Sequence, residues 1–286
     1  HSFPTRRSSD LRIAFLHGML LTVDGTVDLS LLHRYIPAAY QAVNGNAFTE
    51  GSSPSNEHGL FAGMVIRPVV GWKIDAYMDL YRFPWLKYQV DAPGRGADYL
   101  LQLTCNLSKQ VEINSRLRVE NKLANMPGNQ TASNIPVMIR KQGWRTQVSS
   151  RLSRSTTIRT RVEMIWYDKK GLNPESGFLF FADWLYKPLL RPYGAAVRLQ
   201  FFETDGYNAR IYAYENDVAF SYSIPGFYDK GFRYYLNLSY DLGKKIGVWI
   251  RWAQTVYPGK MSVGTGQDAI FGNKKSELRL QFQYIF

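Results

Sequence analysis

A single cysteine, Cys105, rules out any disulfide within the chain. It alternates with polar residues on the side of its strand that carries Leu103, beside Leu107, which reads as a small buried or lipid-facing thiol rather than a nucleophile. No apolar run approaches the ~18 residues of a membrane-spanning helix. Histidine is also scarce. Beyond His1 only His17, His33 and His58 occur, and none has the spacing of a metal site. No metal or cofactor is expected. No charged-then-apolar leader follows residue 1.

Aromatic residues are abundant instead, at 15% of the chain, with 19 Tyr, 16 Phe and 7 Trp. They fall into long alternating stretches. From Glu277 to the end, Leu278, Leu280, Phe282, Tyr284 and Phe286 share one face, and Glu277, Arg279, Gln281 and Gln283 share the other. A period of two means a β-strand whose faces meet different surroundings. A last strand closing on Phe286 resembles the C-terminal signature of outer-membrane barrels, through which the assembly machinery would take hold of the chain. On that reading the apolar face meets lipid, including lipopolysaccharide, and the polar face lines a lumen.

The same alternation recurs along the chain. Lys73 and Asp75 oppose Trp72, Ile74 and Ala76; Glu112, Arg116 and Arg118 oppose Val111, Ile113, Leu117 and Val119; Arg159 and Arg161 oppose Ile158, Val162 and Met164. Arg233 and Arg251 stand among Phe232, Leu236, Ile250 and Trp252, and Arg198 in a strand near Ala195–Glu203. Together with Arg279 these charges are the expected lumen lining. Runs of about ten residues suit a tilted membrane strand better than a globular one. Short turns at Asp24-Gly25, Pro68, Ser108, Ser153, Pro188 and Gly243 alternate with long stretches at Pro37–His58, Pro84–Ala97, Asn121–Lys141, Asp168–Ser176 and Tyr257–Lys275. Short turns on one side and long loops on the other are the outer-membrane pattern, and about 13 strands are expected. The fold class is therefore all-β, an antiparallel transmembrane barrel of outer-membrane type and about 12–14 strands, here an incomplete barrel.

Residues 1–11 resemble a translated sequencing adapter and are set apart as non-native, leaving 12–286 as the barrel. The native protein is then expected to extend upstream, with at least one more strand. Strand parity leaves Tyr207–Phe227 outside the ladder. Its Tyr212, Tyr214, Glu215 and Asp217 are expected in an ordered hairpin or a constriction, with Arg198, Arg233 and Arg251 as partners for the acids.

Three stretches resemble a group of outer-membrane barrel proteins of Bacteroidota often labelled helix-hairpin-helix domain-containing. They are Phe83-Pro84-Trp85-Leu86-Lys87-Tyr88-Gln89-Val90-Asp91-Ala92-Pro93, Tyr207-Asn208-Ala209-Arg210-Ile211-Tyr212-Ala213-Tyr214-Glu215-Asn216-Asp217, and Ile250-Arg251-Trp252-Ala253-Gln254-Thr255. The resemblance spans about Asn44 to Phe286 and implies a barrel in the outer membrane of a Gram-negative bacterium, with no established activity. The segment behind the label lies upstream, so its DNA-binding implication attaches to no residue here.

Other chemistries are weaker. The net charge is +12, but the basic residues are spread through alternating strands and strand ends rather than gathered as nucleic acid would require. Gly264-Thr265-Gly266-Gln267-Asp268-Ala269 nearly matches a dinucleotide fingerprint without the strand and helix it needs. Glu203, Asp205, Glu215 and Asp217 could hold calcium but lack EF-hand spacing, and pairing with Arg198 and Arg210 is the plainer reading. Phe178, Phe180, Phe181, Trp184 and Tyr186 could stack sugars, but read as girdle and lipid face. The favoured function is a pore, transport or surface-binding barrel without catalysis. One alternative is an outer-membrane hydrolase with Ser55 and His58 in a loop, oriented by Glu57. The other is a soluble lectin-like sandwich.

Overall fold

The computed structural model describes residues 12–41, 48–51, 53–126, 134–170, 172–243, 245–264 and 266–286. The adapter-like segment 1–11 and Thr265 of the glycine loop lie outside the described residues.

The architecture is all-β. The strands are β1 (Phe15–Asp24), β2 (Val27–Ile36), β3 (Glu57–Ile66), β4 (Trp72–Phe83), β5 (Gly94–Asn106), β6 (Val111–Asn125), β7 (Pro136–Arg151), β8 (Thr156–Lys169), β9 (Leu172–Tyr186), β10 (Tyr193–Thr204), β11 (Ile211–Tyr212), β12 (Gly226–Phe227), β13 (Lys230–Leu242), β14 (Ile246–Val256), β15 (Ser262–Val263), β16 (Ile270–Phe271) and β17 (Lys274–Tyr284). Thirteen of them form one sheet in sequence order, with β10 passing directly to β13 and β14 directly to β17. The described ladders run antiparallel. β11 pairs only with β12, and β15 only with β16. The strand count and the place of Tyr207–Phe227 outside the main ladder agree with the alternation in the sequence.

Several strands outrun the expected boundaries. β5 begins at Gly94 rather than after Ala97, β6 continues to Asn125, and β9 begins at Leu172, which removes most of the loop expected at Asp168–Ser176. These extensions carry too few apolar residues to alternate clearly, as in Gly94-Arg95-Gly96-Ala97, so pairing continues where hydrophobic contrast has faded. Pro174 lies before the β9–β10 pairing, which reaches only to Gly177, so its missing N–H costs no bond to β10.

The chain divides into two compact units. The first holds His1–Leu103, Leu117–Gln142 and Asp168–Asn173; the second holds Thr104–Arg116, Gly143–Tyr167 and Pro174–Phe286. In both, the usual arrangement of a globular sheet is inverted. On β17, Leu278, Leu280 and Phe282 are 73%, 71% and 64% exposed, whereas Arg198 of β10 and Arg251 of β14 are wholly buried. The first unit repeats this: Leu29, Leu60 and Leu80 are exposed, and Arg34, Glu57 and Asp79 are buried.

The apolar core is small and sits on the polar face of the second unit. Ile165, Leu179, Phe181 and Phe202 of β8 to β10 pack against Ala209, Ile211, Ala213 and Phe227. Phe181 therefore does not belong to the aromatic girdle. It lies under the inserted segment, while Phe180 and Trp184 keep the exposed side. Cys105 is free and buried.

Candidate functional site: a charged segment held on the polar face

The site of the second unit is built by the segment between β10 and β13. Its entry is fixed first. Glu175 of β9 accepts hydrogen bonds from the backbone N–H groups of Asn208 and Ala209 at 2.8 and 3.1 Å and from the Asn208 side chain at 2.7 Å. These donors belong to one turn of 3-10 helix, Tyr207–Ala209, whose free N–H groups need acceptors. Ser176 donates to Asp205 through its backbone and hydroxyl at 2.8 and 2.6 Å. Those bonds hold the Asp205 carboxyl below its usual range. Gly177 is required here, since a Cβ would strike the Ala209 carbonyl oxygen.

Beyond the β11–β12 rung the segment presents its carboxylates to the wall. Arg233 donates to Glu215 through Nε and Nη2 at 2.7 and 2.9 Å, and Arg251 Nη2 pairs with the same carboxylate. Arg279 pairs with Asp217, and Arg251 Nε lies 3.9 Å from it. Asn216 donates from its backbone and side chain to the Tyr235 hydroxyl at 3.1 and 3.0 Å. Asn237 Nδ2 donates to the Asp217 carbonyl at 2.8 Å. Arg198 departs from expectation. It makes a two-pronged pair with Asp183 at 2.6 and 2.7 Å, lies 3.7 Å from the Phe181 ring centroid, and touches the segment only through the Tyr214 carbonyl at 2.8 Å.

One expectation for the segment, at Arg210, needs correction. Tyr212 and Tyr214 are exposed, and the buried positions of the segment are Ala209, Ile211, Ala213, Glu215, Val218 and Phe227. The short alternation across Ile211–Glu215 turns the tyrosines to the open side. Arg210 pairs with no acid of the segment, since its Nε donates to the Tyr212 hydroxyl at 2.7 Å and its guanidinium stacks on Tyr207. The acids proposed for calcium are dispersed: Glu203 pairs with Lys230 at 3.1 Å, Asp205 binds Ser176, and Glu215 and Asp217 are held by arginines. Among the described residues no group of three or more His, Cys, Asp and Glu could hold a metal ion.

A cavity of about 540 Å³ adjoins the segment toward the short turns, lined by Asn216, Asp217, Asn237, Trp249, Arg151 and Arg154 among others. The remaining charges fall as follows. Arg159 stands 4.0 Å from Asp183; Arg161 stands 3.6 Å from Glu163 and donates to Gln147. Glu112 is exposed near its turn, and Arg116 is half-buried. Phe286 is fully exposed beyond β17, with its ring edge-on to Tyr284 at 5.2 Å.

The first unit carries a second network that the sequence did not reveal. Arg34 Nε donates to Glu57 at 2.5 Å, and Nη1 donates to Asp79 at 2.9 Å. Glu57 also accepts from the backbone N–H of Glu50 and of Gly51. Arg118 and Tyr77 both donate to Asp98, and Lys73 pairs with Asp75 at 2.8 Å. Glu57 therefore cannot orient His58. Neighbours in a strand point to opposite faces, and His58 instead faces Arg82 and Tyr35. Nor does His58 lie in a loop, being the second residue of β3.

The chain matches no family model and no curated protein. Among solved structures it is similar to a loop-deletion form of OmpT, an outer membrane protein of Vibrio cholerae. That likeness has 8% identity and a TM-score of 0.44, covering 94% of this chain and 89% of the other. The KdgM porin in complex with disordered oligogalacturonate matches at 10% identity and a TM-score of 0.32 over 81% of this chain and 94% of its own. The ferric yersiniabactin uptake receptor FyuA of Yersinia pestis matches at 13% identity and a TM-score of 0.47, over 96% of this chain and 50% of its own. Likenesses this distant leave the reading to the chain's own residues.

Proposed function

We propose that the chain is the wall of an outer-membrane β-barrel that passes or binds a solute, with the Tyr207–Phe227 segment narrowing its lumen, and that it carries no catalysis. The observation that carries this reading is the inverted burial of the sheet. Rows of leucine and phenylalanine lie open on one face while arginines are buried on the other. In water, apolar rows of that extent would drive aggregation, whereas in lipid they are the required surface and the charged face belongs to an aqueous interior. A soluble sandwich would bury the opposite face. We read the three stretches quoted above as placing the barrel with the Bacteroidota group.

The segment is suited to a constriction because it stands off the wall only as far as guanidinium–carboxylate pairs allow. It leaves Tyr212 and Tyr214 on its open side and a polar cavity beside its tip. Removing Ala213 to Ser221 should raise single-channel conductance in a planar bilayer. Conductance equal to that of the intact chain would sink the constriction, and release of the protein from membranes by urea without detergent would sink the barrel itself.

A further inference from the structure

The exposed face of the first unit ends in positive charge. On β4 this face reads Trp72, Ile74, Ala76, Met78, Leu80 and then Arg82. Ten residues at ~3.4 Å each span about 34 Å along the strand. At a tilt near 40° that is about 26 Å across a membrane, close to the ~25 Å apolar band of a barrel. Trp72, beside a short turn, and Arg82, on the long-loop side, therefore mark its two borders. Register sets His58 opposite Arg82, and Tyr35 opposite His58.

Arg82 reaches His58 Nδ1 at 3.1 Å. Arg95 lines the same hollow of about 570 Å³, with Leu60, Leu80 and Met138. An adjoining hollow of about 540 Å³ shares His58, Arg82 and Arg95 and adds Leu123. Neither lining contains a carboxylate, and among the described residues Arg82 and Arg95 have no acidic partner. The buried guanidinium groups of the polar face are neutralised, as at Arg34, Arg198, Arg233 and Arg251. Here two stand unneutralised above an apolar floor, at headgroup height.

We propose, on the reading that the sheet spans an outer membrane, that this groove binds a phosphorylated lipid of the surrounding leaflet. The phosphate sits between Arg82 and Arg95, and the acyl chains lie along Leu60, Leu80 and Met138. Two guanidinium groups match a phosphate in charge and in forked geometry. The apolar floor accounts for a lipid rather than a free anion.

Native mass spectrometry of the whole chain in detergent, with diphosphoryl lipid A as the probe, tests the proposal. The double variant Arg82→Gln and Arg95→Gln should retain at least about tenfold less lipid A, consistent with loss of two charge-assisted contacts. Lys245→Gln, which removes a charge beside a short turn, should retain as much as the unaltered chain. Diacylglycerol, which lacks a phosphate, should bind both forms weakly and equally. Undiminished lipid A on a double variant that still shows the heat-dependent gel shift of a folded barrel would overturn the site while leaving the membrane reading intact. Full displacement of lipid A by inorganic phosphate would overturn the lipid assignment. Extraction of the chain from membranes by urea alone would overturn both.

Discussion

The two buried charge networks solve the same problem in opposite ways. In the first unit a strand supplies the cation, Arg34, and two neighbouring strands supply the carboxylates Glu57 and Asp79. The preceding loop adds backbone N–H groups and the Phe48 ring, 5.5 Å from the Arg34 guanidinium. In the second unit the strands supply the cations Arg233, Arg251 and Arg279 with one more distant carboxylate, Glu277, and a segment outside the ladder brings the closer carboxylates Glu215 and Asp217. The ion pairs of one network lie wholly in the wall and cannot open without separating strands. The other is a wall and an insert, and can come apart along the seam between them.

Arg34→Met should have the largest effect. It leaves Glu57 and Asp79 facing each other, nearly without solvent, around the space of the lost cation. Breaking a buried pair by removing one partner costs about 3–5 kcal/mol, read as a lower urea midpoint in detergent. A midpoint unchanged from the parent would mean that water reaches the first network freely.

Within the second unit, the two faces of β17 offer the next contrast. Leu280→Arg puts a charge on the exposed face, where the midplane cost is about 2–4 kcal/mol. Arg279→Leu removes a half-exposed partner of Asp217, which keeps Arg251 nearby. Membrane assembly in vivo should fall markedly for the first and little for the second. Equal yields would undo the assignment of faces.

Glu215→Gln comes third, although its carboxylate is as buried as Glu57. Arg233 and Arg251 lose their nearest carboxylate but keep Glu277 at 3.5 and 3.6 Å, and the segment can lift and let water reach them. The cost is thereby limited to that of local opening, which lies well below global unfolding. Proteolysis within Tyr212–Tyr222 should accelerate several-fold while the urea midpoint moves less than for Arg34→Met. A midpoint shift as large as that of Arg34→Met, with no new cleavage, would show the insert to be part of the wall.

The smallest effect concerns one loop tie in each region. Asp91 is held low by Asn134 and Asn125, and Asp205 by Ser176. A carboxyl whose folded pKa is depressed adds stability above its unfolded value, and that contribution is lost as pH falls through the folded value. Both ties should therefore be unchanged between pH 7 and about 5, and weaken only below the ordinary carboxylate range near pH 4. Hydrogen exchange at the amides of Asn134 and Ser176 reports each separately. Weakening at pH 6 in either would contradict the assignment.

Strand faces could be read from the sequence because lipid and water make neighbouring residues differ sharply, as along β17. The first network was missed where that contrast fails. Leu32 and Ile36 share the polar face of β2 with Arg34, while His33 takes the other, so the period of two fades before the buried arginine is reached. The run Phe178-Leu179-Phe180-Phe181 is apolar on both faces. That is the mark of a strand covered on both sides, and it was the available sign that something lies over β9. Arg233 and Arg251 could be named as partners from charge alone, but Arg198 goes to Asp183 of the adjacent strand, already within reach in the ladder, and Arg279, the partner of Asp217, was not among those expected. Glu175 gave no signal, because its role is to accept backbone hydrogens from residues far along the chain.

The rung between Ile211–Tyr212 and Gly226–Phe227 makes the insert a noose whose neck is tied to the wall by Glu175 and Asp205. Such a noose has a fixed root and a bounded reach. Severing its ion pairs sets the tip free to sweep a small volume near the wall but does not release it into the passage or the medium. A solute that competes for Arg233 and Arg251 would meet the displaced carboxylates still tethered close by, so each such event is reversed at the high effective concentration of a tethered partner. On the proposed constriction, an anionic solute would pass this point by brief exchanges with the tethered carboxylates, with the arginines seldom left bare.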